Sequence, residues 1–162
     1  EELLGMSPEA MMASHSNCRA LTGTGGVNDT QRHLSDETIR EVGRRRGMIG
    51  LNLYHRFICC SADAGQRPAV SDLLDHVERI CDLTGNRLTV GLGSDMDGGF
   101  SADEMCQGIA NHTDLDRVTD SLSKRGWSDT DIEGFTHQNW LRFWNRSGPN
   151  RTRSNIVLQK NG

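Results

Sequence analysis

Three short apolar runs are separated by segments in which apolar residues recur every three or four positions. The runs are Ala10–Ala13, Met48–Leu53 and Leu88–Leu92. Each is too short for a helix and reads as a strand, the first a short buried one over residues 10–15 and the second apolar enough to be buried on both faces. Between the first two, the pattern predicts a helix capped by Ser35, with Asp36 and Glu37 in its first turn and Ile39 and Val42 on one face. Arg44, Arg45 and Arg46 close it, with Gly47 as the C′ residue. The three arginines sit where the helix dipole favours cations, so they read as a helix end and not as a binding patch. Between the second and third runs, Leu73, Leu74, Val77, Ile80 and Cys81 define the buried stripe of a helix over Ser71–Thr84, closed by Gly85. Leu115, Val118 and Leu122 mark a further helix, Ser128 with Asp131 caps another, and Trp140, Leu141 and Phe143 mark a last one. Glycine-rich and polar loops fill residues 22–29 and the stretch up to Pro68, and Arg146–Gly162 reads as a polar, disordered tail.

Strand, helix, strand, helix, strand and then helices is the order of an α/β fold with a parallel sheet and right-handed crossovers. Three such units make part of a sheet, because a closed barrel of this type needs eight strands. The expected architecture is therefore a partial barrel.

Composition narrows the class. The chain has 162 residues, 35% of them hydrophobic, with 18 glycines and a formal charge of -4. That balance argues against a nucleic-acid partner, and no run of about 20 apolar residues is present to span a membrane. The first residues are Glu1 and Glu2, so the sequence is silent about targeting. Five cysteines (18, 59, 60, 81 and 106) form no Cys-x-x-Cys pair. An odd, scattered set fits free thiols in a reducing compartment, and a cytoplasmic location is expected on that ground. Asn28, Asn111, Asn145 and Asn150 head glycosylation sequons that matter only for a secreted chain.

Candidate chemistry gathers where strands stop. His15 follows the first run and Asp95 follows the third, and the carboxyl ends of parallel strands are where α/β active sites are built. A neutral imidazole at position 15 suits zinc; the alternative is a hydrogen-bonded loop histidine. Asp95 and Asp97 alternate in a glycine-rich turn. A calcium loop would need a Glu at its twelfth place, where Cys106 stands. Gly91, Gly93 and Gly98 have the wrong spacing for a dinucleotide fingerprint. Asp95 is left as an acid/base or as a turn-forming Asx residue. Arg32 precedes a helix cap, where it would clamp a carboxylate or simply face solvent. His33, His55, His76, His112 and His137 have no metal-type spacing and are read as structural.

Six blocks taken together resemble the membrane dipeptidase (renal dipeptidase) family of zinc peptidases, over roughly residues 8–145. SHSNCRAL at 14–21 is similar to the family's SHSNxR, RHLSDE at 32–37 to RNLxDE, and GMIGLNLY at 47–54 to GGxIGxNFY. HVERICDLTG at 76–85 is similar to HIDHIxxLAG, GLGSDMDG at 91–98 to GIGSDFDG, and NWLRFW at 139–144 to the C-terminal NxLRV helix. The resemblance implies a (β/α)₈ barrel with two zinc ions that hydrolyses dipeptides. It places a metal-ligating histidine on His15, the arginine that grips the substrate carboxylate on Arg32, and the aspartate that handles the proton of the attacking water on Asp95. The family's His-x-Asp pair and bridging Glu have no counterpart in these 162 residues. The expectation is thus the C-terminal part of a dipeptidase-like barrel over residues 1–145, lacking several metal ligands, with a dipeptide as partner and a homodimer possible in the intact protein. The alternative is an inactive barrel fragment or paralogue with a structural or binding role.

Overall fold

The computed structural model describes residues 5–22, 32–59 and 66–147. The glycine-rich loop from residue 23, Cys60, the sequons at Asn28 and Asn150, and the tail from residue 148 lie outside the described residues. The elements are β1 (Met12–Ala13), α1 (Arg19–Thr22), α2 (Asp36–Arg44), β2 (Met48–Asn52), α3 (Val70–Thr84), β3 (Val90–Ser94), α4 (Asp116–Lys124), α5 (Asp129–Glu133) and α6 (Asn139–Ser147). Short 3₁₀ turns cover His55–Phe57, Ala102–Glu104 and His112–Leu115.

The three strands form one parallel sheet in the order β1-β2-β3. Met12 is in register with Met48, and Gly50 with Gly91. The ladder between β2 and β3 slips after Leu51, so Asn52 faces Ser94. Two strands differ from their expected bounds for local reasons. β1 is two residues long, because the backbone turns away at Ser14 and His15. β3 begins two residues late and runs on through Ser94, because the Asn86 side chain accepts the Leu88 N–H at 2.8 Å and holds Leu88 out of the ladder.

Ser35 caps α2 as expected, accepting the Thr38 N–H. The other end corrects the reading: the left-handed residue is Arg46 (φ 58°), not Gly47. Gly47 is required for a different reason, since a Cβ there would lie 2.2 Å from the Met11 carbonyl oxygen. α3 ends on Gly85 in the left-handed conformation (φ 69°), and Ser128 and Asp131 form their capping box at the start of α5.

The core lies between the sheet and its helices. Ile49, Leu51 and Val90 pack against Ile39 and Val42 of α2, Leu73, Leu74, Val77 and Ile80 of α3, and Val118 and Leu122 of α4. Arg79 of α3 and Asp36 of α2 pair at 2.5 Å across the top of two adjacent helices. A π-helical turn, Gly134–Gln138, carries α5 into α6, whose Trp140 indole donates to the Leu92 carbonyl at 2.9 Å. Leu141, one of the residues that mark this helix in the sequence, is half exposed. Among the described residues no helix is long and apolar enough to cross a membrane.

Candidate active site

The polar groups of interest stand at the carboxyl end of the sheet. β1 stops at Ala13, and Ser14 Oγ lies 2.7 Å from His15 Nδ1. That contact leaves Nε2 turned toward Asp95, 3.9 Å from Oδ1. β3 stops at Ser94, and the chain then takes left-handed backbone at Ser94 (φ 59°), Asp95 (φ 66°) and Asp97 (φ 62°). Three non-glycine residues in that region within four positions are costly unless the surroundings enforce them, and such backbone concentrates at functional sites. The turn is held by Gly98 N–H donating to the Asp95 carbonyl at 3.0 Å. Gly98 has to be glycine, because a Cβ would lie 2.6 Å from Asp95 Oδ1.

The Asp95 carboxylate is the hub. Oδ2 accepts from Asn52 Nδ2 at 2.6 Å and has Arg32 Nη2 at 3.9 Å. The side chain keeps 28% of its exposure, so a small molecule can reach it. Arg32 carries its guanidinium 4.8 Å from the centre of the Phe57 ring, a cation–π placement that orients its plane. Tyr54 packs on both Phe57 and Phe100, which makes an aromatic wall beside this arginine. The structure therefore brings His15, Arg32 and Asp95 together, with the aspartate between the imidazole and the guanidinium.

Asn17 and Asn52 carry no role in the sequence reading, yet both are fully buried here. Asn17 Oδ1 accepts the Asn52 N–H at 2.9 Å, and Asn17 Nδ2 donates to the carbonyls of Asn52 (3.2 Å) and Phe57 (2.9 Å). The signal for Asn52 was available: it is the one polar side chain in a run otherwise read as buried, and such a group needs a partner.

The remaining histidines differ. His76 is buried and bonded at both nitrogens, accepting the Cys18 N–H at 3.0 Å and reaching the Ile58 carbonyl at 2.8 Å, so it ties the segment after β1 to the segment after β2. Burial lowers its pKa. His33 is buried with neither ring nitrogen hydrogen-bonded, and burial, with His76 and Arg32 nearby, lowers its pKa to about 4. Burial pushes the thiols of Cys18, Cys81 and Cys106 up to about 12, so none is a thiolate nucleophile at neutral pH.

Among the described residues no three His, Cys, Asp or Glu side chains converge on one point. One imidazole and one carboxylate fall short of the three or four protein ligands a zinc site needs. The described residues thus do not build a zinc centre by themselves.

The description of the membrane dipeptidases (peptidase family M19) matches residues 1–155, and the chain belongs to that family. It is 26% identical over 143 residues to an uncharacterized dipeptidase of Schizosaccharomyces pombe, covering 88% of this chain and 32% of the relative. It is 31% identical over 133 residues to a dipeptidase of Aspergillus oryzae, covering 82% and 28%. A solved metallo peptidase from Rhodobacter sphaeroides, bound to a phosphinate mimic of the dipeptide L-Ala-D-Ala, superposes with a TM-score of 0.74 at 28% identity, covering 90% of this chain and 38% of that one. The chain spans about a third of the length of the curated relatives it matches.

Proposed function

We propose that this chain is the part of a dipeptidase barrel, about three βα units and the C-terminal helices, that carries the substrate-carboxylate clamp and the proton-handling acid. The observation that supports it is the Asp95 carboxylate held at the strand ends with Arg32 and His15 each 3.9 Å away. Asp95 is the general base that takes a proton from the attacking water and returns it to the leaving amine. Arg32 pairs with the free carboxylate of a dipeptide, a charge-assisted contact that the C-terminal amide does not offer. The resemblance gives His15 to zinc; the family is one of metallopeptidases, and the reaction's metal needs donors beyond those these described residues bring together.

The deciding experiment compares a dipeptide with its C-terminal amide as substrates of the native protein, with zinc supplied. Hydrolysis of the dipeptide alone is the expected result. Equal rates on both would remove Arg32 from its role, and no hydrolysis of any dipeptide would remove the reading.

A further inference from the structure

We infer that Asn17 is a positioning residue that sets both arms of the site at once, Asp95 through Asn52 and Arg32 through Phe57. This rests on the dipeptidase reading for its kinetic consequences and on geometry for the rest.

The ladder between β1 and β2 ends early because β1 is so short. Asn17 continues it with a side chain. Its amide accepts one N–H from Asn52 and donates to the carbonyl of the same residue, the two bonds a strand's own peptide units would supply. The second Nδ2 hydrogen goes to the Phe57 carbonyl and ties down the 3₁₀ turn His55–Phe57. Turning this amide over would set its oxygen against two carbonyls and its NH₂ against an N–H, so only one orientation is allowed. The same reasoning fixes Asn52: its Oδ1 accepts the Tyr54 N–H at 2.8 Å, which leaves Nδ2 facing Asp95.

Each arm then follows. Asp95 stands beyond the last ladder residue, in left-handed backbone, so strand pairing does not orient its carboxylate. The 2.6 Å bond from Asn52 does; it engages Oδ2 and leaves Oδ1 toward His15. Arg32 rests on the Phe57 ring, and that ring's height is set by the turn whose last carbonyl Asn17 holds. One buried amide therefore registers the acid and the clamp to each other, although they come from segments far apart in sequence.

The test is a split between kcat and KM in the native protein. Asn52→Leu removes the donor to Asp95, together with the acceptor of the Tyr54 N–H, and should lower kcat about 10- to 100-fold with a smaller change in KM. Phe57→Leu removes the ring under Arg32, along with its edge contacts to His33 and Tyr54, and should raise KM about two- to fivefold with a smaller change in kcat, while Phe57→Tyr restores KM. Asn17→Asp keeps the acceptor for the Asn52 N–H and loses both donors, and it should lower kcat and raise KM together. A kinetics-independent readout is the scalar coupling across the hydrogen bond from Asn52 Nδ2 to the Asp95 carboxyl carbon. It should be present in the wild type and in Phe57→Leu, and absent in Asn17→Asp. Persistence of that coupling in folded Asn17→Asp, or a change in only one of kcat and KM, overturns the inference. A wild-type protein that hydrolyses no dipeptide but shows the coupling lost in Asn17→Asp overturns the dipeptidase reading and supports the registration by Asn17.

Discussion

The two ends of the sheet are made by the same kind of connection and finish in opposite ways. At the entrance of the strands, the asparagine and arginine side chains around β3 are paired with the backbone and with one another. Asn86 accepts from Leu88 and Thr89, the Asn139 amide donates to the carbonyls of Arg87 and Val90, and Arg142 donates to the Leu88 carbonyl and to Asn139. At the exit, the Asp95 carboxylate is bonded from behind by one asparagine and faces His15 and Arg32 at distances too long for hydrogen bonds. Groups held from behind and left open in front are pre-organised for a ligand, whereas groups closed on one another serve the fold. Strained backbone follows the same division. The exit has left-handed aspartates, and the entrance turns through Gly85 and the single residue Arg46.

Asp95→Asn breaks the comparison most directly. The amide keeps the shape but takes no proton, and kcat should fall by about two to four powers of ten with the fold intact by circular dichroism. A loss of less than about threefold would make Asp95 a turn residue. Next is Gly93→Ala, which tests whether the exit end tolerates any added volume. Its Cβ would lie 2.3 Å from the Ser14 carbonyl oxygen and 2.7 Å from the Gly50 carbonyl carbon. Because both obstacles are backbone, denaturant melts should show a loss of about 2–4 kcal/mol. Arg32→Ala should raise KM for dipeptides about 10- to 100-fold, since a charge-assisted contact made in ground and transition states is lost; steady-state kinetics decide it.

His33 gives a smaller, pH-dependent effect. Its pKa falls from 6.5 in the unfolded chain to about 4 in the folded one. As pH drops through that window the unfolded chain binds the proton first, so stability should decline from about pH 6.5 toward pH 4. His33→Phe, which removes two unbonded buried nitrogens, should flatten that decline in chemical melts between these limits. His76, shifted in the same direction, leaves a residual slope. At the bottom of the scale, Arg142→Gln at the entrance should leave kcat and KM unchanged. An effect there as large as that of Arg32→Ala would erase the contrast between the ends.

The sequence carried the helices well because their signals are local. Ser35, Gly85 and the Ser128–Asp131 pair cap the ends the pattern assigns to them. Strand limits were less legible, since they depend on partners: β1 shrinks because its pairing stops at Ala13, and β3 shifts because a side chain of Asn86 competes for the backbone. The convergence of His15 and Asp95 follows from parallel strand ends meeting at one edge, and Arg32 joins them from the turn ahead of α2, over the Phe57 ring. Asn17 was hidden for another reason. An asparagine in a polar block looks like a turn former, and only the fold shows its amide acting as a rung of the ladder.

The strand order has a consequence for the time course of folding. Each strand pairs with the one before it in sequence, across an intervening helix. Every ladder spans a whole connecting segment, so the contacts that define the sheet are non-local and the loop-closure entropy is paid before they form. Helices α2 and α3, which meet through Arg79 and Asp36 and share the core, are the pieces able to collapse early. The sheet edge that assembles Asp95, Arg32 and His15 is then among the last features to appear, and a refolding chain should regain its helical signal before it regains the site.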